Sequence, residues 1–460
     1  MSLYDIHGNS VAGSSHASIK KHTVVKTYEV TSGTSATVDV SGCIVGSLCI
    51  RGGGSYMPYK VYNDKDEVIV SKTSYGAESH IYLVLEGATK VTLTPNAPAT
   101  VVWFVEKETT ENLPNEYREG RTLVFQDEFD TGKLDLNVWY EEVADNRRGF
   151  ERGDGTNAFV KDGELILRIL REHQYFADNV RSEWSGEVLH SKFQYKYGLA
   201  EAKIKFAGKG AWMSFWALGA NVNEYPEEGY NKGIPWTTCG EIDFVECNAG
   251  KAVSGNIHWD AGRGNEDDQT NIYQISMNDL TTEYHIFSCE WTEETITWYL
   301  DYHKVGSVSV EDYKTSDAYN AFRLPMHLLL SSQPILPASY NPNGVADKDT
   351  NLLEGAVQWV RVYAPEGWEN SEPTELLIDG NNGSEILEFT VGDTHDWTVD
   401  ITPVQTVNQT TVWTSSQPHV ASVCNNGGHL ECLSEGYTTI TAKMWNGVQT
   451  SIVIHVSAAE

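Results

Sequence analysis

Positive charge is scarce in this 460-residue chain: 33 Lys and Arg stand against 64 Asp and Glu, for a formal charge of −31. A nucleic-acid-binding surface needs clustered basic residues, so no nucleic-acid partner is expected, and a polyanionic ligand is disfavoured. The acidic excess by itself speaks for solubility. Cysteine is scarce too. The seven are Cys43, Cys49, Cys239, Cys247, Cys289, Cys424 and Cys432, an odd number at spacings that match no zinc motif. Cys424 and Cys432 bracket NNGG in an expected hairpin, where a disulfide and two reduced thiols are both compatible. Long apolar runs are missing. No segment approaches the ~20 residues of a membrane helix, so no membrane insertion is expected. The opening MSLYDIHGNSVAGSS has no basic stretch followed by an apolar core, so no signal peptide is expected in this chain. Long amphipathic helical patterns are also rare.

Short alternating runs bounded by Gly, Asn, Asp and Ser take their place, which points to an all-β protein. After an N-terminal tail (1–21), the runs TVVKTYEV, EVIVSK, HIYLVLEG and TVVWFVEK suggest a small antiparallel β-sandwich over 22–108. Residues 109–120 are polar and contain Pro114, as a linker would. The central unit, 116–364, is again strand-rich and holds most of the tryptophans. Its connection 219–235 is long for a compact domain, which marks it as a functional candidate. A second linker is expected over 365–384. A compact Ig-like sandwich is expected over 385–457.

In the central unit, residues 240–246 read GEIDFVE. Strict alternation puts Glu241 and Asp243 on one face and Glu246 on the other, among Ile242 and Phe244. Burying Glu246 unpaired in a sandwich core would cost several kcal/mol. A β-bulge at Phe244–Val245 removes the conflict by returning Glu246 to the face of the other two acids. Three carboxyls on one face repel, which separates their pKa values. One ionised and one protonated carboxyl are what a retaining glycosidase requires. Four regular strand steps would separate the outer two Cα atoms by roughly 13 Å, so their side chains must lean together over a curved strand. A solvent-facing edge strand whose acids discourage aggregation fits the same spacing.

GEIDFVE resembles the catalytic strand of glycoside hydrolase family 16, in the bulged, laminarinase-like form. The likeness extends to FQDEFDTGKLDLNVW (125–139), KDGELILRI (161–169), SGEVLHSKFQYKYGLAEAKIKF (185–206), GKGAWMSFWALG (208–219), FSCEWTEETITWYLD (287–301) and VQWVRVYA (357–364). It implies a concanavalin-like β-jelly-roll sandwich, here flanked by two smaller β-sandwich domains, whose concave sheet forms an open cleft. It also implies Glu241 as nucleophile, Glu246 as general acid/base, and Asp243 hydrogen-bonded to the nucleophile. TVGDTHDWTVDITP (390–403), VWTSSQPHVASV (412–423) and SEGYTTITA (434–442) resemble the bacterial Ig-like group 2 domain, a spacer or adhesive module of extracellular proteins.

Sugars stack their C–H faces on aromatic rings. Trp212 and Trp216, four apart on one strand, and Trp236, five residues before Glu241, are therefore candidate substrate-binding residues, with Trp184 a weaker one on a loop. His258 aligns with a family position and is expected on the leaving-group side. Trp259 should alternate away from it, and Trp291 and Trp298 should be core. The resemblance implies no required cofactor. It does imply a structural calcium between an acid near the domain start, here Glu128, and an Asp near its end, where Gln358 stands instead. Losing an anionic ligand weakens a site for a hard cation. HLLLSSQP (327–334) and VADNRRGFERGDGTNAF (143–159) depart from the laminarinase pattern. Arg147, Arg148 and Arg152 in the latter fit contacts to an anionic galactan and equally a solvated loop.

The expected function is thus retaining endo-hydrolysis of a polysaccharide, first a β-1,3-glucan, by a monomer acting outside the cell. A β-linked galactan or host glycan is the alternative substrate, and a non-catalytic glycan-binding or adhesion protein the alternative class. The start SLYDIHGN resembles those of some proteins of gut bacteria and their phages, which fits a virion-borne protein as well as a secreted one.

Overall fold

The computed structural model describes residues 20–30, 35–41, 45–50, 56–75, 79–84, 87–94, 101–110, 121–142, 144–146, 149–151, 153–175, 181–222, 233–262, 267–277, 279–336, 344–368, 372–381, 383, 385–424 and 427–459. Arg147, Arg148 and Arg152 lie outside them, as does most of the expected N-terminal tail.

Period-two patterning builds the central unit as two sheets packed face to face. The first contains seven strands: β1 (Trp139–Glu141), β2 (Arg181–Tyr195), β3 (Ala211–Gly219), β4 (Glu241–Asn248), β5 (Ala252–Trp259), β6 (Asp268–Ser276) and β7 (Met326–Pro334). Their order across the sheet is β1-β2-β7-β3-β4-β5-β6, antiparallel throughout. The second sheet runs Ala158–Lys161, Glu164–Tyr175, Leu352–Tyr363, Gly198–Lys205, His285–Trp291, Thr295–Leu300 and His303–Ser309. Between them lies one apolar core. Met213, Phe215 and Ala217 of β3 and Leu328 and Leu330 of β7 enter it from the first sheet, and Leu165, Leu167, Ile169, Phe287 and Trp291 from the second. The alternate residues of β3 and β7, Trp212, Ser214, Trp216, His327, Leu329 and Ser331, therefore share the opposite, outer face of the first sheet. This is the expected jelly roll, and Trp291 and Trp298 are core, both fully buried.

The N-terminal unit contributes a sheet ordered Ala36–Asp39, Ala88–Leu93, Tyr56–Asn63, Val68–Tyr75. A second set, Lys20–Val30, Val101–Thr110, Val45–Ile50 and Ser79–Val84, ends on β6, where Ile81 pairs in parallel with Gln274. The site-bearing sheet thus continues into that unit.

The C-terminal unit has its own core around Trp397, Trp413, Ile440, Ile452 and Ile454. The stretch expected as a linker over 365–384 is linker only in part. Glu375–Ile378 pair with Val399–Thr402, because Leu376 and Ile378 have a core to enter. Among the described residues Cys424 and Cys432 are buried thiols with no disulfide joining them. No helix is long and apolar enough to cross a membrane among the described residues.

Candidate active site

The extra residue on β4 is present. Against β3, Asp243 pairs with Trp216 and Val245 with Phe215, leaving Phe244 without an opposite number. Against β5, Asp243 pairs with Asn256 and Glu246 with Ser254, so Phe244 and Val245 together face Gly255. Ile242, Phe244, Val245 and Cys247 all enter the core, and Phe244 meets the Phe215 ring edge-on at 4.8 Å. Glu241, Asp243 and Glu246 are left on the outer face, across from Leu218, Trp216 and Ser214 of β3 and from His258, Asn256 and Ser254 of β5.

A bulge interrupts the ladder, and buried carbonyls need donors. Two core side chains supply them from beneath. Trp298 Nε1 donates to Asp243 O at 2.8 Å, and Tyr273 Oη donates to Phe244 O at 2.7 Å. Gly255 makes this geometry accessible. A Cβ there would lie 2.3 Å from Tyr273 Cε1 and 3.0 Å from Trp298 Cδ1, inside contact distance of both rings. Neither Gly255 nor the second role of Trp298 emerged from the sequence reading, although a glycine inside a strand pattern is a recognised sign of a bulge or a close approach.

The two outer carboxyls have different company. Glu241, 7% exposed, accepts a short hydrogen bond from Trp236 Nε1. The Trp236 ring projects from the short helix Trp236–Cys239 and tilts over the His258 imidazole at 5.5 Å. His258 Nε2 lies 3.4 Å from Asp243 Oδ2 and 3.8 Å from Glu241 Oε1, while Nδ1 lies 2.9 Å from Asp267 Oδ1. Burial alone would hold the imidazole neutral. The acceptor at Asp243 and the charges of Glu241 and Asp243, aided by Asp267, outweigh burial and push its pKa up to about 10. Glu241 is pushed well above the ordinary carboxyl range, first by burial and then by Asp243, against the pull of His258 and Trp236. Glu246 instead meets neutral donors. Trp212 Nε1 reaches Oε1 at 2.9 Å and Asn256 Nδ2 reaches Oε2 at 2.5 Å. Asn271 Nδ2 donates to Asn256 Oδ1 at 2.9 Å, which fixes the Asn256 amide with its donor towards Glu246.

The structure therefore brings Trp212, Trp216, Trp236 and His258 to the face that carries the three acids. His258 is placed differently from expectation: it pairs opposite Glu241, at the far end of the acid set from Glu246, because the antiparallel register of β4 and β5 puts Asn256 and Ser254 nearer Glu246. Trp216 is half covered. It packs against a small apolar cluster of Val188, Leu218, Val222, Ile234, Cys239 and Leu329, and its Nε1 donates to Ser331 Oγ at 3.2 Å. Trp184 is not on a loop. It lies on β2, buried, beneath the Arg171 guanidinium, because the 181–195 strand starts earlier than its polar sequence suggests. Trp259 turns away from His258 onto Tyr313 at 4.8 Å.

Ligand-type atoms of Glu241, Asp243 and His258 lie within 4.8 Å of one another. The expected calcium pair is engaged by other side chains. Glu128 is held by the Arg361 guanidinium at 2.7 and 2.9 Å, and the amide of Gln358 donates to Glu164 at 3.0 Å.

Parts of this chain are similar to known proteins. The family model Glycosyl hydrolases family 16 matches residues 152–352, and that of the bacterial Ig-like domain (group 2) matches 384–453. Clotting factor G alpha subunit of Tachypleus tridentatus is 27% identical over 254 residues, 52% of this chain and 34% of that protein. Glucan endo-1,3-beta-glucosidase A1 of Niallia circulans is 25% identical over 303 residues, 58% of this chain and 42% of that protein. This chain thus spans less than half the length of either relative. The solved catalytic domain of an endo-1,3-beta-glucanase (laminarinase) from Thermotoga petrophila is 25% identical, with a TM-score of 0.45, covering 54% of this chain and 99% of that one.

Proposed function

We propose that this chain, which carries a family 16 glycosyl hydrolase domain followed by a bacterial Ig-like domain, is a retaining endo-β-glycanase whose substrate is a β-1,3-glucan. The observation that carries the reading is the bulge at Phe244, which puts Glu241, Asp243 and Glu246 on one face beside Trp212, Trp236 and His258. The substrate class is supported by the relative from Niallia circulans, named for endo-1,3-beta-glucosidase action. An extracellular site of action accords with a polymeric substrate and with the Ig-like unit.

In this mechanism Glu241 attacks the anomeric carbon and forms a glycosyl-enzyme ester. Glu246 protonates the departing glycosidic oxygen, then takes a proton from the water that cleaves the ester. Each displacement inverts the anomeric centre, so the product keeps the β configuration. Glu241 must be ionised to attack, which burial and Asp243 oppose. Trp236 Nε1 and His258 both favour the carboxylate and counter that opposition. Trp212 Nε1 and Asn256 Nδ2 hold the Glu246 carboxyl oxygens in place for the proton transfer.

The test is hydrolysis of a panel of purified β-1,3-glucan, mixed-linkage β-glucan, agar, porphyran and carrageenan, followed by proton NMR of the first product. Release of β-anomeric oligosaccharides from β-1,3-glucan is expected. Cleavage of a galactan alone would move the substrate to that class and leave the mechanism standing. Binding without any reducing ends released would return the chain to a glycan-binding role.

A further inference from the structure

The indole that donates to Glu241 stands on an element that cannot hold itself. Trp236 opens the helix Trp236–Cys239, a single turn of four residues. Its N-cap is Pro235, which offers no side-chain cap, and no acid stands in the first turn. One turn fixes several dihedrals for a single hydrogen bond, so it is unstable alone. Trp236 itself is 42% exposed, so packing around its ring does not fix the indole either. The place of the Trp236 N–H therefore depends on what grips the helix from outside.

Tyr319 grips it first. Its Oη donates at 3.0 Å to the carbonyl of Thr238, a group that a helix end leaves without an internal partner. The Tyr319 ring packs on the apolar cluster that contains Val222, Ile234 and Cys239. Thr238 Oγ1 adds a longer tie to Asp260 Oδ2 at 3.4 Å. The entry to the helix is held as well. Ile234, two positions before Trp236, donates its N–H to Asn221 O at 2.9 Å and bridges Val222. Asn221 is where the C-terminal unit arrives. A Cβ on Gly427 would fall 2.0 Å from Asn221 Cα, so the two backbones touch there. The Asn221 side chain also reaches the Tyr319 hydroxyl. The Ig-like unit is itself anchored along β2: Gln409 N donates to Gln194 O at 2.8 Å, Lys196 N donates to Val407 O at 3.1 Å, and Val407 is buried in the jelly-roll core. Contacts thus run without a break from the Ig-like unit through Asn221 and Tyr319 to the helix, and from Trp236 to Glu241.

We propose that Tyr319, braced by the Ig-like unit, is a positioning residue for the nucleophile: it holds the one-turn helix from which the Trp236 indole donates to Glu241. The Ig-like unit is then a part of the active site's support and not a spacer. A loosened helix draws the indole away from the Glu241 carboxylate. Burial and Asp243 then push that carboxyl towards its neutral form with less to oppose them. The role of Glu241 rests on the function proposed above, whereas the run of contacts does not.

A double-mutant cycle in the full chain tests this, since contact alone does not show coupling. Tyr319→Phe keeps the ring and removes the donor to Thr238. It should lower kcat/KM on β-1,3-glucan roughly three- to tenfold. It should also move the acidic limb of the pH profile upward, as loss of the Trp236 donor does, because that donor favours ionised Glu241. Combined with Trp236→Phe, it should add little to the loss that Trp236→Phe causes alone. A second readout needs no turnover. The chain is labelled with 5-fluorotryptophan, the Trp236 resonance is assigned by Trp236→Phe, and its pH titration reports Glu241. Asp243 and Glu246 on β4 and His258 on β5, with Asp267 behind it, also bear on that midpoint, and no variant alters them. The midpoint should move to higher pH in Tyr319→Phe. It should move the same way in Gly427→Ala, whose methyl group forces Asn221 and the Ig-like unit apart. An unmoved midpoint in Tyr319→Phe, or losses that add fully in the double variant, overturns the inference. A midpoint that moves in Tyr319→Phe but not in Gly427→Ala keeps Tyr319 in the role and removes the Ig-like unit from it. A wild-type chain that hydrolyses no glycan defeats the proposed function, and the fluorine titration then decides by itself whether Tyr319 sets the Trp236–Glu241 bond.

Discussion

Glu241 and Glu246 stand on one strand, yet their surroundings differ in kind. Beside Glu241 stand charged and polarising groups: Asp243, His258 with Asp267 behind it, and the indole N–H of Trp236. Among the described residues, Glu246 accepts from the neutral donors Trp212 and Asn256, with Asn271 setting the amide. The difference separates the two roles in the proposed mechanism. A nucleophile must hold a negative charge, so it needs charge compensation nearby. A group that gives and retakes a proton needs fixed geometry, and a permanent charge beside it would favour one protonation state over the other.

Removing either carboxyl is the largest way to break this contrast. Glu241→Gln should lower kcat on the order of 10⁴-fold or more, and Glu246→Gln by roughly 10²–10⁴-fold, with circular dichroism and melting behaviour kept. Substitution by Gly sharpens the point, because azide can then replace the missing group. Glu241→Gly should yield an inverted α-glycosyl azide, and Glu246→Gly a β-glycosyl azide. Both variants giving the same anomer would defeat the assignment of roles.

Next come the donors. Hydrogen bonds to charged groups contribute about 1.5–3 kcal/mol, so Trp236→Phe and Asn256→Leu should each lower kcat/KM by roughly 10- to 100-fold. The contrast predicts different pH profiles. Trp236→Phe removes a donor that favours ionised Glu241, so its acidic limb should move to higher pH, and Asn256→Leu should leave that limb where it is.

His258→Gln probes the charge itself. His258 lowers the Glu241 pKa, so its loss should also move the acidic limb upward. The folded-state pKa of His258 is raised from 6.5 to about 10. Its charge therefore stabilises the fold fully below its unfolded pKa, and that contribution disappears as pH rises through the folded value. The gap in urea midpoint between wild type and His258→Gln should shrink steadily from pH 6.5 to pH 10. A gap that widened over that window would show the imidazole to be neutral in the fold.

The smallest expected effect is on stability. Tyr273→Phe leaves Phe244 O without its donor and should cost about 1–3 kcal/mol in urea unfolding. Gly255→Ala should cost more and lower activity as well, since its Cβ displaces the Tyr273 ring beneath the bulge.

Much of this is legible in the order of the residues. Alternation of apolar and polar residues specifies the strands, and the clash between Glu246 and that alternation locates the extra residue at Phe244–Val245. Both are local properties, carried by neighbours within a few positions, and burial punishes a polar residue out of phase wherever the strand goes. What holds the bulge and tunes its acids comes from contacts between strands distant in sequence. Tyr273 and Trp298 reach the bulge carbonyls from strands that lie apart from it in sequence, through space left by Gly255. His258 met Glu241 and not Glu246 because one register was adopted across β4 and β5. The Ig-like unit, read as a spacer, is seated against the jelly roll through Val407 and Gln409. Such partnerships depend on which strands lie side by side and at what offset, and no local pattern encodes that.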